Sequence, residues 1–429
     1  MKIEKVSLFS SRRDFFLFLA LSLFILTYSL LIEYNNYRHL IQFDSCIVDA
    51  TVVKEYTKTK ISKKGKIKNY QVLKLQGDGG SSFYTTYWKD TQKFKGQKLK
   101  LELFIEKLSF YEYMRSFYAS SKVLSIAETP SAKENLNNYI DSIHHSKDIA
   151  SIYKALYTAS PLPPNLQSTF SSLGVSHLLA ISGFHLGVLS ALLFFLLKTP
   201  YKLLQNRYFP YRNSKTDIFI FVALILLAYL LFLDSPASLL RAFAMLVIGF
   251  FLYDRGIKIV SMQTLLLSLI LLLAFFPRLF FALGFWLSIA GVFYIFLFLI
   301  HFKHLSRLWQ FTLIPIWVYL LMLPFSLAIF GNFSIYHPLS IIWTSLFTLF
   351  YPVSIFLHFI GWGYLFDGIL ESFIVLSQTQ FTLKLAYLYL LFHILLSLAS
   401  IHKKSFLPLL LLYSLAIFTY YFYFTLNLT

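Results

Sequence analysis

One apolar segment carries several side chains that are suited to a functional role. Residues 174–197 read GVSHLLAISGFHLGVLSALLFFLL, which places His177 and His185 in an otherwise apolar or small-residue run. Ionisable groups within a membrane usually face protein or a water-filled space. Ser182-Gly183 interrupts the run where a helix can kink or break. We predict that these four residues line a passage, with histidines hydrogen-bonded to a neighbouring helix as the alternative.

Small residues recur through the same segment. If the segment is one helix, 3.6 residues per turn bring these small residues onto one face. Such a stripe lets two membrane helices approach closely, and tight helix packing is its predicted main role. The stripe consists of Ser176, Ala180, Gly183, Gly187 and Ser190.

A second functional candidate begins at Asp234-Ser235-Pro236. Ser235 can cap a helix, and proline suits the first helical position. Arg241 would then lie about 7 Å inside that helix, at 1.5 Å per residue. A helix N-terminus with an arginine one turn deeper can hold a phosphate group. The alternative is an arginine whose side chain reaches the outer lipid headgroups.

Two shorter motifs follow along the chain. GFWLS at 284–288 places Trp286 and Ser288 in an apolar run, where close helix packing is the default interpretation. FGNFS at 330–334, followed by His337-Pro338, predicts an outer loop in which Asn332 or His337 lies at the mouth of a passage. The complete set of passage candidates is His177, Ser182, Gly183, His185, Asp234, Arg241, Trp286, Ser288 and Asn332.

Residues 34–130 are polar and rich in lysine. Eight lysines occur from Lys54 to Lys74, with aromatic residues interleaved through the following strands. Lysine beside aromatic side chains is typical of surfaces that bind single-stranded nucleic acid. Anionic lipid is an alternative partner, and lysine in a solvated turn is common without function. The candidates for DNA binding are Lys58, Lys60, Lys63, Lys64, Lys66, Lys68, Tyr84 and Trp88.

Several enzyme chemistries lack their motifs in this sequence. There is no Gly-x-x-x-x-Gly-Lys-Ser/Thr, no His-Glu-x-x-His and no Gly-x-Ser-x-Gly. No acidic residue or cysteine stands near His177 and His185, so they do not indicate a metal site. Cys46 is the single cysteine and excludes an internal disulfide. We therefore predict a protein that is not an enzyme and binds neither metal nor cofactor.

The composition indicates the solvent in which these residues act. Of 429 residues, 57% are hydrophobic and 14% are charged, where soluble domains carry roughly 25% charged residues. This balance excludes a disordered chain and a typical soluble enzyme, and it fits a protein embedded in lipid. The net charge of +18 exceeds what orientation in a membrane requires.

Apolar runs predict a polytopic α-helical membrane protein of about 10–11 helices. A basic N-terminus before the run at 15–32 favours a retained helix that starts in the cytoplasm. The basic loop 198–216 is also predicted to be cytoplasmic, and the segment 361–380 either crosses the membrane or lies re-entrant or interfacial. The predicted spans are 15–32, 174–197, 217–233, 237–253, 258–276, 279–300, 309–330, 338–360, 381–400 and 406–427.

The same reasoning divides the chain into four predicted parts. Residues 1–33 form the cytoplasmic N-terminus and first span, and 131–172 form an amphipathic connector. Residues 34–130 alternate as short strands between turn signals, which predicts a small OB-like β-barrel in the periplasm, with a β-sandwich as the alternative. Residues 173–429 form the multi-span part.

The motifs carry a resemblance to a known family. His177-Leu-Leu-Ala-Ile-Ser-Gly-Phe-His185 resembles the hallmark of the ComEC competence family, which is a family of DNA-uptake channels. The Ser-Pro and Arg-Ala pairs of 235–242, GFWLS at 284–288, and FGNFS at 330–334 before Pro338 resemble further elements of that family in the same order. The basic β domain is similar to the family's OB-type N-terminal domain.

The resemblance implies an inner-membrane channel that passes single-stranded DNA from periplasm to cytoplasm in natural transformation. The implied partners are single-stranded DNA, a periplasmic DNA receptor, a cytoplasmic helicase or single-strand-binding proteins, and the bilayer; a homo-oligomer stays open. Many members end in a metallo-β-lactamase-like domain, which we do not expect here, and Cys46 has no partner for the disulfide of some members.

Two other functions stay open on the residues alone. The first is a transporter of another anion, such as a lipid-linked or nucleotide metabolite. Transporters usually show paired repeats with broken helices in both halves, and Ser182-Gly183 is the one clear candidate break in this sequence. The second is a membrane scaffold whose basic domain holds DNA or lipid.

Overall fold

The computed structural model describes the chain in twelve stretches and two compact units. The stretches are 11–43, 45–61, 67–77, 80–88, 94, 96–105, 107–126, 132–179, 181–233, 235–257, 259–375 and 381–427. The first unit comprises Ser11–Ser131 and Ile270–Leu283. The second unit comprises Ala132–Leu269 and Gly284–Thr429.

The first unit consists of one long helix, a sheet and a short helix. A capping box starts the long helix, because the Ser11 N–H donates to Asp14 Oδ2 (3.0 Å) and the Asp14 N–H donates to Ser11 Oγ (3.2 Å). The elements are α1 (Arg12–Ile41), β1 (Ser45–Ile61), β2 (Ile67–Gly77), β3 (Ser82–Tyr87), β4 (Lys98–Phe104), α2 (Phe110–Arg115), β5 (Phe117–Tyr118) and β6 (Ser120–Ile126).

The six strands form one sheet in the order β5-β3-β2-β1-β4-β6. Neighbouring strands are antiparallel except β3 and β5, which pair in parallel over two residues. Thr85 Oγ1 of β3 lies 2.7 Å from Ser121 Oγ of β6, but no ladder joins these strands in the described residues. The predicted closed OB-like barrel is therefore wrong, because the two-residue β5 takes the edge of β3 that closure would require.

Alternation along the strands separates a core face from an outer face. Leu73 and Leu75 of β2 are fully buried together with Phe83 of β3, as the period of two requires. Segment 270–283 joins this unit through Arg278, whose Nη2 donates to Glu33 Oε2 (2.6 Å) and whose guanidinium lies 4.7 Å above the ring of Tyr113. The ion pair satisfies part of a charge that would otherwise be costly to bury.

The second unit is built almost entirely of helices. Serine and asparagine N-caps begin several of them, as at Asn213 and Ser306. The elements are α3 (Ala132–Ile143), α4 (Lys147–Thr158), α5 (Pro164–Ser172), α6 (Ser176–Leu179), α7 (Gly183–Tyr208), α8 (Ser214–Phe232), α9 (Ala237–Asp254), α10 (Met262–Phe275), α11 (Leu283–His301), α12 (Arg307–Ile329), β7 (Asn332–Phe333), α13 (Ser340–Phe359), α14 (Asp367–Val375), β8 (Phe381–Thr382), α15 (Tyr387–His402) and α16 (Phe406–Leu426); α10 and α11 cross the unit boundaries.

Seven described helices are long and apolar enough to cross a membrane, namely α1, α7, α8, α11, α12, α13 with the turn before it, and α16. Helices α10 and α15 are apolar but shorter, and α9 has 18 residues. The protein is therefore a polytopic helical membrane protein, as predicted. The number of spans that the sequence predicts, about 10–11, is larger than these seven.

The structure differs from two predictions, the unbroken span at 174–197 and the stripe of small residues, and it bears on a third, the segment 361–380, for which crossing and a re-entrant or interfacial position were both open. The span at 174–197 is broken, and its main helix α7 starts at Gly183 and continues to Tyr208, so part of the predicted loop 198–216 is helical. In segment 361–380, α14 has nine residues and is about 14 Å long, which is too short to cross roughly 30 Å of hydrocarbon. The predicted stripe of small residues is likewise divided by the break before Gly183.

Candidate functional site

The break between α6 and α7 confirms that Ser182-Gly183 interrupts the helix. Ser182 is extended (φ −133°, ψ 175°) and stands at the N-cap of α7. Its N–H donates to His185 Nδ1 (3.2 Å), so the proton of a neutral His185 resides on Nε2. His185 is 1% exposed, and its Nε2 has no partner within the described residues.

Aromatic residues of α13 enclose His185. The ring of Phe347 lies 5.1 Å and that of Tyr351 4.9 Å from the imidazole, both edge to face. His177 is exposed, and its Nε2 lies 3.3 Å from Thr344 Oγ1 on the same helix. His177 thus makes the hydrogen bond to a neighbouring helix that the alternative interpretation expected.

Helix α9 approaches the break closely. Ser238 Oγ donates to the Ile181 carbonyl (2.8 Å), which lies between the end of α6 and the start of α7. A Cβ on Gly183 would lie 3.1 Å from Ala242 Cβ, closer than an ordinary contact between carbon atoms. Glycine is therefore needed at 183 for this approach, in agreement with the predicted role of the small residues in packing.

Arg241 is buried beside this contact without a partner for part of its guanidinium group. The residue is 8% exposed, and its Nε has no hydrogen-bond partner among the described residues. The described residues also provide no carboxylate within ion-pair distance of it; Asp234 lies outside them. Burial of an unpaired guanidinium is costly, so the arrangement favours an anion at this position.

The start of α11 forms the opposite wall. The Arg241 guanidinium lies 5.8 Å from the ring centroid of Phe285. A Cβ on Gly284 would lie 3.8 Å from Arg241 Nη2, so glycine leaves the guanidinium accessible on that side. Trp286 is 40% exposed, and Ser288, one turn after Gly284 on the same helical face, is also exposed. Phe285, which the sequence did not single out, is thus the residue of this motif that faces Arg241.

The loop 330–338 packs on the turn after α5. Asn332 Nδ2 donates to Ser171 Oγ (3.2 Å), and Ser334 Oγ donates to the Ser172 carbonyl. Gly174 has a φ of +69°, and a Cβ there would lie 3.0 Å from the ring of His337. Asn332 therefore holds the loop to α5, which is a structural contact that the sequence did not predict.

Four motifs that are far apart in sequence consequently meet in one region of the second unit. The loop 330–338 contacts the turn before α6, α6 leads into the break at Ser182, and α9 and α11 bring Arg241 and Phe285 to it. The passage-lining roles of the individual residues stay predictions. The convergence itself could not be read from the sequence, because residue spacing along the chain does not reveal which helices are neighbours.

A second candidate surface lies in the first unit. Antiparallel pairing sets Lys58 opposite Tyr70, Lys60 opposite Lys68 and Lys74 opposite Tyr84. Because directly paired residues share a face, these positions all lie on the face opposite the leucine core. We call this the lysine–tyrosine face; its register positions are Lys54, Tyr56, Lys58, Lys60, Lys68, Tyr70, Lys74 and Tyr84.

Side-chain contacts support a surface suited to stacking. Lys74 Nζ lies 5.6 Å from the ring centroid of Tyr84, and the rings of Tyr70 and Trp88 are 5.3 Å apart. Trp88 is 58% exposed. The face thus carries four of the predicted DNA-binding candidates (Lys58, Lys60, Lys68 and Tyr84), and a fifth, Trp88, contacts Tyr70 of this face. Lys63, Lys64 and Lys66 lie outside the described residues.

Fold and site define a polytopic helical membrane protein with a basic β unit and a buried arginine that has no ion-pair partner in the part of the chain that the structure describes. A family model described as Competence protein matches residues 158–425, which is more than half of the chain. The chain belongs to this family, and the resemblance to the ComEC type is confirmed. Comparisons with curated proteins and with solved structures gave no significant match.

Proposed function

We propose that this protein passes single-stranded DNA from the periplasm to the cytoplasm across the inner membrane during natural transformation. Membership of the Competence family supports a role in competence. The observation that carries the proposal is Arg241, whose buried guanidinium has no hydrogen-bond partner at Nε among the described residues and lies between the break before α7 and the start of α11.

The chemistry of Arg241 suits a phosphate. A guanidinium presents its N–H donors in a planar fork that matches phosphate oxygens, and it remains charged at any physiological pH. Arg241 also lies in the second turn of α9, whose N-terminus carries a partial positive charge. A phosphodiester that passes this position would neutralise the arginine briefly, which suits a transported polymer better than a permanent ion pair.

The lysine–tyrosine face supplies the binding step in this proposal. Lysines attract a strand because phosphate contacts release counterions, and exposed aromatic rings stack on bases without sequence preference. We place this face in the periplasm, where a DNA receptor would deliver the strand. The protein itself acts without catalysis, and a cytoplasmic helicase or single-strand-binding proteins would receive the DNA.

The transport proposal is tested with fluorescent DNA in cells that lack the protein. We expect DNA to accumulate in the periplasm and to fail to enter the cytoplasm. Cytoplasmic DNA at the level of normal cells would refute the channel function. Normal DNA entry together with lost uptake of a phosphorylated metabolite would instead support the transporter of another anion.

The role of Arg241 is tested with Arg241→Met. A hydrogen bond to a charged group contributes about 1.5–3 kcal/mol, so transformation should fall about 10–100-fold. The matched control is Arg207→Met, because Arg207 is exposed near the end of α7. If Arg241→Met inserts normally and transforms like Arg207→Met, Arg241 does not contact the strand.

A further inference from the structure

A chain of polar groups lies in the second unit away from Arg241. It joins four elements: Asp367 begins α14, His144 follows α3, His358 lies near the end of α13, and Tyr157 is on α4. His144 and His358 are each 6% exposed. His144 and Tyr157 are more than 200 residues from His358 and Asp367 in sequence (His144 and Asp367, for example, by 223), and none of the four belongs to the motifs discussed above.

The hydrogen bonds of this chain determine where its protons reside. Asp367 Oδ1 and Oδ2 lie 2.9 and 3.0 Å from His144 Nδ1, and an ionised carboxylate only accepts. His144 Nδ1 must therefore carry a proton. His358 Nδ1 lies 2.7 Å from the Ser354 carbonyl, which also only accepts, so His358 Nδ1 carries a proton as well.

The two imidazoles then meet in a way that requires one more proton. His144 Nε2 and His358 Nε2 are 3.0 Å apart. A neutral His358 with its proton on Nδ1 presents a lone pair at Nε2, so His144 must donate from its own Nε2. His144 is then protonated on both nitrogens. A protonated Asp367 that donates to His144 Nδ1 would give the same total number of protons.

We propose that His144, His358 and Asp367 form a buried site that binds one proton, and that this proton holds α14 against α3 and α13. Loss of the proton leaves one lone pair facing a second acceptor: at the Nε2–Nε2 contact, at the Asp367 carboxylate, or, if His358 changes tautomer, at the Ser354 carbonyl 2.7 Å from its Nδ1. Each arrangement is repulsive around two buried imidazoles, so the contact opens. The site goes beyond the proposed transport function and does not depend on it.

The surroundings keep the proton within these three groups. Tyr153 of α4 stacks on His144 (ring centroids 4.5 Å apart, 9° between planes), and Tyr157 OH lies 3.2 Å from His358 Nδ1. Burial raises the pKa of both tyrosines, so they stay neutral. In the described part of the chain, the titratable groups that contact the two imidazoles are these two tyrosines and Asp367. Tyr139 of α3 contacts His358 at the backbone, because its hydroxyl donates to the His358 carbonyl.

The turn before α14 is fitted to the same site. A Cβ on Gly363 would lie 2.8 Å from the His358 ring, so the backbone of the turn rests directly on the imidazole. Asp367 follows this turn as the first residue of α14. Release of His144 from Asp367 would therefore free the start of a helix only nine residues long, which has little intrinsic stability of its own.

The proton count is tested by solid-state NMR on the full chain in lipid vesicles, with ¹⁵N-labelled histidine and ¹³C-labelled aspartate. The His144 signals are assigned by comparison with His144→Gln. We expect one proton to be lost from the site as pH rises, from His144 or from Asp367. Two singly protonated imidazoles beside an ionised Asp367 at every pH from 5 to 9 would overturn the proposal.

Two substitutions supply a hydrogen-bond donor that does not titrate, so the site no longer needs the additional proton. In His358→Gln the amide NH₂ can donate to His144 Nε2, and in Asp367→Asn it can donate to His144 Nδ1. Hydrogen exchange of 367–375, corrected for the intrinsic pH dependence of amide exchange, reports opening. In the wild type, opening should rise about tenfold per pH unit above the midpoint, since one proton is released.

In both variants, the opening of α14 should no longer depend on pH. If only one of the two variants folds, that variant is sufficient for the test. His145→Gln is the matched control, because His145 is exposed beside His144. It should keep the tenfold dependence. A wild-type protein without pH dependence, or variants that retain it, would overturn the proposal.

Discussion

The close contact between Gly183 of α7 and Ala242 of α9 can be tested by exchanging the two residue types, so that the side-chain Cβ atom lies on α7 instead of α9. A Cβ at 183 would lie 3.1 Å from Ala242 Cβ, so Gly183→Ala should push the helices apart by a few tenths of an ångström. Overpacking of this kind lowers the stability by about 1–3 kcal/mol. Alanine is a better helix former than glycine, which offsets up to about 1 kcal/mol of that loss. We expect a net loss of about 1 kcal/mol.

The reverse change and the double substitution complete the cycle. Ala242→Gly should cost about 1 kcal/mol, because glycine is a poorer helix former than alanine. The double variant Gly183→Ala/Ala242→Gly removes the atom that the new Cβ would meet, so its stability should return to within about 0.5 kcal/mol of the wild type. The resulting coupling energy has a magnitude of about 2 kcal/mol, within the range for residues in contact.

Unfolding of the purified protein in detergent measures the stability, and transformation frequency measures the function. Ala242 adjoins Arg241 in sequence, so Gly183→Ala should also lower transformation, and the double variant should restore it. Gly187→Ala is the control on the same helix, since a Cβ there meets nothing within 4 Å. Additive stability effects, or a Gly183→Ala protein that behaves like Gly187→Ala, would refute the packing argument.

Two further predictions concern the first unit. On the lysine–tyrosine face, Lys74→Gln should reduce the magnitude of the slope of log K (the binding constant for single-stranded DNA) against log salt concentration by about 0.7. Tyr84→Ala should instead weaken binding by about 1–3 kcal/mol at every salt concentration. Equal slopes for wild type and Lys74→Gln would exclude a phosphate contact of Lys74. Burial raises the pKa of the Cys46 thiol, so a smaller fraction is thiolate at neutral pH. Labelling with maleimide should therefore be slower than for free cysteine, and its rate should still increase above pH 9. Labelling at the rate of free cysteine at pH 7 would contradict this prediction.

The lysine–tyrosine face shows what sequence patterns can predict well. Strands have a period of two, so alternating lysines and aromatic residues on neighbouring strands must share a face once the hairpin register is set. The barrel prediction failed because closure depends on a distant pairing. The alternation of polar and apolar residues along a strand does not determine whether Phe117 pairs with Phe83 of β3 or forms part of β6.

The helical unit shows the opposite balance. Apolar runs predicted its membrane character, and Ser182-Gly183 predicted the break. The ends of α7 were missed because the helix continues through a basic, amphipathic segment to Tyr208. The proton site at His144, His358 and Asp367 had only one signal, an acidic residue within an apolar segment, since its partners are brought together by tertiary packing alone.

The β1–β2 hairpin extends beyond the strands that flank it. Strand β4 pairs with β1 only as far as Thr51, and β3 pairs with β2 only as far as Gln71. The tip, with Lys58 and Lys60 on one strand and Lys68 on the other, is therefore a ribbon whose two edges carry unpaired backbone groups in the described part of the chain.

Open edges of this kind can add a strand from a second molecule, and lysine on an edge strand is one of the devices that prevent it. The lysines of the tip consequently protect the ribbon from self-association in addition to any attraction for DNA. Neutral substitutions would remove both effects together. Charge reversal to glutamate removes the attraction and keeps mutual repulsion between chains, so it is the substitution that separates solubility from strand binding.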